Sequence, residues 1–186
     1  MKKNKSFFLK GKKIYLRMLQ IEDVNEKYLS WLNDKNNSHI PAASKTNTML
    51  NLKSYVSKNL KNPDVFFFAI INTRNNTHIG NIKLGPINWK SKSAFFGRLI
   101  GSKDSKGRGY GTEAVKLVIK FSFEVLKLNK VLASCIKNNI AAIKSNEKNG
   151  MRIDTSIKKK KIINKKYQDI VYLRIFKKDW MKKKFL

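Results

Sequence analysis

The sequence predicts an α/β fold, with strands and helices interleaved along 186 residues. Three observations carry this. The apolar run Asp64–Ile71 has strand length, and the turn Asn72-Thr73-Arg74-Asn75-Asn76 joins it to a hairpin partner, Ile79–Leu84. A glycine-rich turn at 106–111 leads into a helix from Thr112 to about Leu126, with Val115, Val118, Ile119, Phe121 and Phe123 at its apolar positions. A further strand, Val131–Ile136, precedes a short helix, Ile140–Lys148, for which Asn149-Gly150 is a stop because glycine tolerates the left-handed cap.

The remaining elements follow in order. Lys13–Leu19 alternates partly and reads as a first strand. Glu22-Asp23 opens a helical stretch whose apolar positions are Tyr28, Leu29, Trp31 and Leu32. Asn33–Thr48, polar and carrying Pro41, is a loop, and Leu50–Leu60 fits a second short helix. Ser93–Ile100 fits a strand, and Arg152–Phe176 reads as two strands around a lysine-rich loop. No internal repeat or low-complexity linker interrupts the chain, so one domain is expected over residues 1–186, long enough to bury a core without disulfides or metals.

The chain carries 41 Lys+Arg against 12 Asp+Glu, a formal charge of +29. Such a balance invites a nucleic-acid reading. Against it, the only arginines are Arg17, Arg74, Arg98, Arg108, Arg152 and Arg174, and they are scattered. The basic runs Lys158–Lys161, Lys165-Lys166 and Lys182–Lys184 lie toward one end, where solvated surface is expected. Lys, Asn and Ile are abundant together, as an AT-rich coding bias produces. The charge still favours anionic small molecules through attraction that salt screens. Cys135, in the apolar run Val131–Ile136, has no disulfide partner and reads as a buried core thiol. His39 and His78 are far apart and no His/Cys cluster has metal-ligand spacing, so no metal is expected. Ser6-Phe7-Phe8-Leu9 is too short for a signal core and no stretch approaches ~18 apolar residues, so a soluble, cytoplasmic protein is expected.

The informative window is Lys106-Gly107-Arg108-Gly109-Tyr110-Gly111-Thr112, between a strand and an amphipathic helix. Such a turn lets successive N–H groups converge on one anion at a helix N-terminus. Gly109 and Gly111 remove side chains from the approach, while Lys106 and Arg108 add charge. The turn is neither a P-loop, lacking Gly-Lys-Ser/Thr, nor a dinucleotide fingerprint, lacking that glycine spacing.

The next 40 residues raise the specificity. The order of strand, glycine-rich turn, long helix, strand, Asn139, Ala142-Ile143 and Glu147-Lys148-Asn149-Gly150-Met151 resembles the GNAT acyltransferase superfamily, in the group of ribosomal-protein and nucleotide-amino-sugar acetyltransferases. The resemblance implies a mixed, mostly antiparallel sheet splayed between the fourth and fifth strands, with helices on both faces. It implies acetyl-CoA as cosubstrate, its pyrophosphate on amides of Arg108–Thr112 and its pantetheine along Leu99, Ile100 and Gly101. A main-chain N–H near Leu99 would polarise the thioester carbonyl for direct attack by an amine, in the gap facing Ser134, with Asn139 at the cofactor's edge. Departures matter: the usual Gln or Arg opening the turn is Lys106, the tyrosine acid before Glu-Lys is Asn146, and the glutamate five positions before the Asn is Ser134. Neither usual acid nor base transfers, so water or a side chain from the N-terminal half must take the ammonium proton.

His78 has a suitable ordinary pKa near 6.5, though its place beside a turn favours a structural role. Tyr110, inside the phosphate turn, reads as a packing residue; Glu22, Asp23 and Asp34 read as capping or solvated carboxylates. Trp31 reads either as a stacking platform or as a buried helix residue. Tyr28-Leu29-Ser30-Trp31-Leu32-Asn33-Asp34 and the charge favour a nucleotide-linked amino sugar as acceptor. A ribosomal-protein or other peptide N-terminus, a small antibiotic, a non-catalytic acyl-CoA-binding protein and a basic RNA-binding module are the alternatives, and a polyamine is disfavoured by so basic a surface. Monomer and homodimer are both compatible with the sequence.

Overall fold

A computed structural model of the chain describes residues 7–37, 47–157, 159–163 and 166–184. Its strands are β1 (Phe8–Lys10), β2 (Ile14–Met18), β3 (Phe66–Asn72), β4 (His78–Leu84), β5 (Ser93–Ile100), β6 (Lys130–Ile136), β7 (Arg152–Ile153), β8 (Lys159–Ile163) and β9 (Lys166–Phe176). Its helices are α1 (Glu26–Asn33), α2 (Met49–Lys61), α3 (Tyr110–Glu124), α4 (Ile140–Lys148) and α5 (Lys177–Lys184). The strands form one sheet in the order β1-β2-β3-β4-β5-β6-β9-β7, with β8 paired to β9. All pairings are antiparallel except β5 with β6. The α/β class, the mostly antiparallel sheet and the helices on both faces agree with the expectation.

Each face of the sheet builds its own core. The residues Ile14, Leu16, Phe68, Ile70, Ile82 and Leu84 point to the side where α3 contributes Ala114, Val115, Val118, Ile119 and Phe121. Phe121 sets its ring 5.0 Å from Phe7, 5.2 Å from Phe66 and 5.6 Å from Phe68, edge to face. The alternate residues, Phe67, Ala69, Ile71 and Leu99, meet Tyr28, Trp31 and Leu32 of α1 and Leu52 and Val56 of α2. Period-two alternation on strands thus sends one side chain set to α3 and the other to α1 and α2. β3 is buried on both faces, which explains its continuous apolar run Phe66–Ile71.

Local chemistry sets the helix ends. Asn25 caps α1 through its side chain on the Tyr28 N–H, Thr48 caps α2 on Asn51, and Asn139 caps α4 on Ala142. Gly150, at φ +83°, follows α4 as the sequence predicts. Several boundaries differ. The stretch opened by Glu22-Asp23 is a 3-10 turn, Ile21–Asp23, separate from α1. Asp23 caps that turn, as one of its two expected roles, accepting from the Gln20 N–H at 2.8 Å, and Arg17 also donates to it at 2.6 and 2.7 Å. Arg152–Phe176 holds three strands rather than two, because Arg152-Ile153 adds its own short pairing to β9. The loop Asn33–Thr48 opens with a 3-10 turn at Lys35–Asn37, while His39 and Pro41 lie outside the described residues. So do the signal-like start through Ser6, and Lys158 and Lys165 of the basic runs.

Candidate active site

The parallel pair β5–β6 is registered over four rungs only, from Ser93↔Lys130 to Phe96↔Ala133. Beyond them Gly97–Ile100 and Ser134–Ile136 diverge, and β6 stays paired to β9 throughout. The sheet therefore opens between β5 and β6, the fourth and fifth strands once the short β1 is set aside. A cleft of about 790 Å³ runs through this gap from the start of α3 and α4 to the floor of α1 and α2.

Strand parity decides which main-chain groups face the gap. Gly101 N–H donates to Ile79 O at 2.9 Å and Gly85 N–H donates to Phe95 O at 2.7 Å. With the regular register Asn81↔Leu99 between them, Leu99 directs its N–H and C=O at β4. Arg98 and Ile100 carry the groups that face the opening. Leu99, from which a donor to the thioester was expected, lines the cleft with its side chain, while its amide belongs to the sheet.

At the cleft's mouth lies the glycine-rich turn. Gly107 and Gly109 have φ of +76° and +84°, conformations that side-chain-bearing residues rarely adopt. A Cβ at Gly107 would meet nothing within 4 Å, and one at Gly109 only Lys13 Nζ at 3.9 Å, so both glycines border open space. Gly109 is the N-cap of α3 and supplies no side-chain cap. The first N–H groups of α3 are thereby left open to an anion, and the helix dipole favours one there. The acidic side chain of that first turn, Glu113, does not compete: its carboxylate accepts from the Lys12 and Lys13 amides of the β1–β2 turn instead. These features fit a diphosphate.

Across the gap α3 and α4 are tied together. Thr112 Oγ1 and Ser145 Oγ are 2.9 Å apart, and Asn149 Nδ2 donates to the Thr112 carbonyl at 3.0 Å. Asn146, 4% exposed, accepts from Arg98 Nη1 at 3.2 Å. Arg98 has no carboxylate partner among the described residues, and burial draws its guanidinium down to about 10, leaving it charged at neutral pH. Gly111 makes room for it: a Cβ there would lie 3.1 Å from Arg98 Nε. Cys135 is half-buried on the cleft wall rather than sealed in the core, and burial pushes its thiol up.

The far half of the cleft is lined by Tyr28, Asn36, Asn37, Tyr55, Asn81 and Lys83, among others. Lys83 Nζ donates to Tyr55 Oη at 2.7 Å and to Asn59 Oδ1 at 3.1 Å; Lys106 Nζ donates to Asn37 Oδ1 at 2.9 Å. Among the described residues the lining includes Lys83, Arg98, Lys106, Lys144 and Lys148 and no Asp or Glu. Tyr28 is pushed up by burial and stays a phenol. Trp31 is buried against Gly101 and His78 and does not line the cleft. His78 does not line it either. Burial pulls its imidazole below the ordinary value, and its Nε2 contacts two acceptors, Gly80 O at 3.0 Å and Asn81 Oδ1 at 2.9 Å.

Of the residues singled out from sequence, the cleft gathers Leu99, Ile100, Lys106, Gly107, Gly109, Tyr110, Gly111, Thr112, Ser134, Asn139 and Asn146. Of the predicted cofactor-binding residues, Gly101 and Arg108 are absent from its wall. Gly101 is covered by the Trp31 indole, and its N–H is used by β4. Arg108 lines a second cleft of about 430 Å³ with Lys12, Lys13 and Arg74, and its carbonyl accepts from Lys13 Nζ at 3.3 Å. Asn139 spends its side-chain oxygen on capping α4. Sequence reasoning missed Arg98, Asn81 and Lys83. The signal was polar residues on strands: Arg98 shares strand parity with Ala94 and Phe96, and Asn81 with Ile79.

Comparison with known proteins places this architecture. Residues 13–152 match the family model of the acetyltransferase (GNAT) domain. A Bacillus subtilis relative, "Probable N-acetyltransferase YjcK", is 27% identical over 92% of this chain and 98% of its own length. Escherichia coli spermidine N(1)-acetyltransferase is 29% identical over 55% of this chain and 54% of its own. Among solved structures, the GNAT-family acetyltransferase from Bacillus anthracis superposes with TM-score 0.78 at 21% identity, covering 92% of this chain and 99% of that one. Spermidine N-acetyltransferase from Vibrio cholerae, in complex with CoA and spermine, superposes with TM-score 0.80 at 21% identity, covering 91% and 98%. No helix among the described residues is long and apolar enough to cross a membrane. A sheet opened at its one parallel pair, an uncapped helix start behind a glycine turn, and a family match over three-quarters of its length show that the chain belongs to the GNAT acetyltransferases, the acetyl-CoA-dependent N-acetyltransferases.

Proposed function

We propose that the acceptor amine is carried on an anionic molecule, a nucleotide-linked amino sugar. One observation carries this reading: among the described residues the cleft wall holds five cationic side chains and no carboxylate. Residues 38–46, beside its far half in sequence, contain no Asp or Glu either. A polyamine brings two or more positive charges and needs counter-charges to be held out of water. Here Lys83 and Lys106 would meet it instead. A diphosphate linker finds in the same two lysines the partners it requires.

The residues divide the work as follows. N–H groups of Tyr110, Gly111 and Thr112 hold the diphosphate of acetyl-CoA, with the positive φ of Gly107 and Gly109 keeping the surface bare. Main-chain groups of Arg98 and Ile100 pair with the pantetheine arm, and one of their N–H groups polarises the thioester carbonyl in the role first expected of Leu99. The amine nitrogen then bonds to the carbonyl carbon and the C–S bond breaks, releasing a thiolate. Asn146 cannot protonate a thiolate. Arg98, held by Asn146, stabilises that charge electrostatically, so a cation stands where the superfamily resemblance puts an acid. With no carboxylate on the wall and His78 outside it, the ammonium proton leaves through water.

Release of free thiol from acetyl-CoA tests the acceptor. UDP-linked amino sugars are expected to be acetylated with kcat/KM at least tenfold above N-terminal peptides and spermidine. Robust turnover of spermidine with no turnover of amino sugars would reject the reading.

A further inference from the structure

We infer that Asn81 reads the acceptor, donating Nδ2–H to an oxygen carried on the carbon next to the amine-bearing carbon. Asn81 is 3% exposed and lines the cleft, yet its Nδ2 makes no hydrogen bond of ordinary length; the Tyr28 hydroxyl lies near enough to feel this donor without satisfying it. A buried amide donor without a partner is costly and rare, and one that faces a substrate cleft points to a ligand atom that completes it.

The orientation of this amide is fixed from behind. His78 Nε2 lies 3.0 Å from Gly80 O, which only accepts, so Nε2 carries the proton. The second atom facing that proton, 2.9 Å away, must also be an acceptor, which assigns it as Asn81 Oδ1. The amide's other end, Nδ2, therefore points away from His78. His78 is locked in turn, its ring edge-on to Trp31 at 5.1 Å and to Tyr28 at 6.3 Å between centroids. A polar side chain with this much support behind it is pre-organised rather than free to find another partner.

Its position names the oxygen. Asn81 stands opposite Leu99 in the β4–β5 register, one strand away from the gap that Arg98 and Ile100 border. Neighbouring strands are about 4.8 Å apart. The amide is thus offset from the reacting carbonyl and faces the acceptor half, beside Tyr28 and Lys83. An oxygen separated from the attacking nitrogen by two carbons meets it: the hydroxyl next to an amino group on a sugar, or the carbonyl of a peptide's first residue. Amines built only of carbon, nitrogen and hydrogen have nothing to offer it. The inference rests on the acetyl-transfer reading but not on the acceptor being a nucleotide sugar.

The test uses the full chain, Asn81→Ala and Asn81→Asp, assayed with a UDP-linked amino sugar bearing a neighbouring hydroxyl, an alanine-terminated peptide, propylamine and spermidine. Asn81→Ala is expected to raise KM for the oxygen-bearing acceptors about ten- to hundredfold, with kcat changed less and acetyl-CoA affinity by calorimetry unchanged. The residual rate with propylamine should not move. Asn81→Asp keeps an oxygen for His78 and removes the amide donor, and it should shift preference toward spermidine; being isosteric, it also guards against an alanine variant that misfolds. Equal losses on propylamine and on the sugar, or no loss on either, would overturn the inference. Wild-type turnover of the peptide but not the sugar would remove the nucleotide-sugar reading and leave Asn81's role standing. Turnover confined to spermidine and propylamine would remove both.

Discussion

Replacing Arg98 by Met sets stability against activity. Burial draws the guanidinium well below its ordinary value, to about 10, with no carboxylate partner among the described residues to offset it. At roughly 1.36 kcal/mol per pH unit this corresponds to about 3 kcal/mol of cost in the folded protein. The hydrogen bond to Asn146, long at 3.2 Å, returns about 1.5 kcal/mol. Methionine preserves most of the packed stem and carries no charge. Urea unfolding should therefore show the variant more stable by about 1–2 kcal/mol. Its kcat should fall about ten- to hundredfold, because the proposed mechanism loses the charge that stabilises the departing thiolate. A variant that is less stable and fully active would refute the reasoning and make Arg98 a structural residue.

Gly109→Val forces a β-branched residue into φ +84° and sets a side chain where the loop borders open space. The expected cost is at least about 1–2 kcal/mol of stability, with acetyl-CoA binding lost in calorimetry; unchanged affinity would make the turn merely structural. Phe121→Ala empties the centre of the ring cluster with Phe7, Phe66 and Phe68 and should cost about 3–5 kcal/mol in denaturant unfolding. Burial opposes ionisation of Asp23, but the Arg17 hydrogen bonds and the Gln20 amide outweigh it and hold the carboxylate below its ordinary value. Its contribution is whole above the unfolded value near 3.9 and is lost as pH falls through the folded one, so Asp23→Asn should flatten the fall in Tm below about pH 4. An unchanged acid slope would show that other groups set it.

What the sequence disclosed was local chemistry. The glycine turn and the Gly150 stop depend on neighbours within a few residues, and each is found at or near its expected place. α3 starts at Tyr110 rather than Thr112 because Gly109 already acts as the cap. The elements that escaped lack a periodic signal. β1 and β7 have three and two residues, and α5, Lys-Lys-Asp-Trp-Met-Lys-Lys-Lys, has almost no apolar face. The site was legible where it is contiguous, around 106–112, and illegible where strands meet. Which amide of Leu99, Arg98 or Ile100 faces the gap depends on the β4–β5 register, and a shift of one residue inverts the answer. Asn81 and Lys83 likewise gain meaning only from the partner strands and helices that enclose them.

Glu113 bonding back to the Lys12 and Lys13 amides has a consequence for handling the protein. The glycine turn is moored to the β1–β2 corner by this carboxylate and by Lys13 Nζ on the Arg108 carbonyl. Trimming the chain beyond residue 11, or pulling on that hairpin through a bulky fusion, slackens the mooring a hundred positions away. Weakened acetyl-CoA affinity in such a shortened protein would then reflect lost anchorage rather than any lost ligand contact.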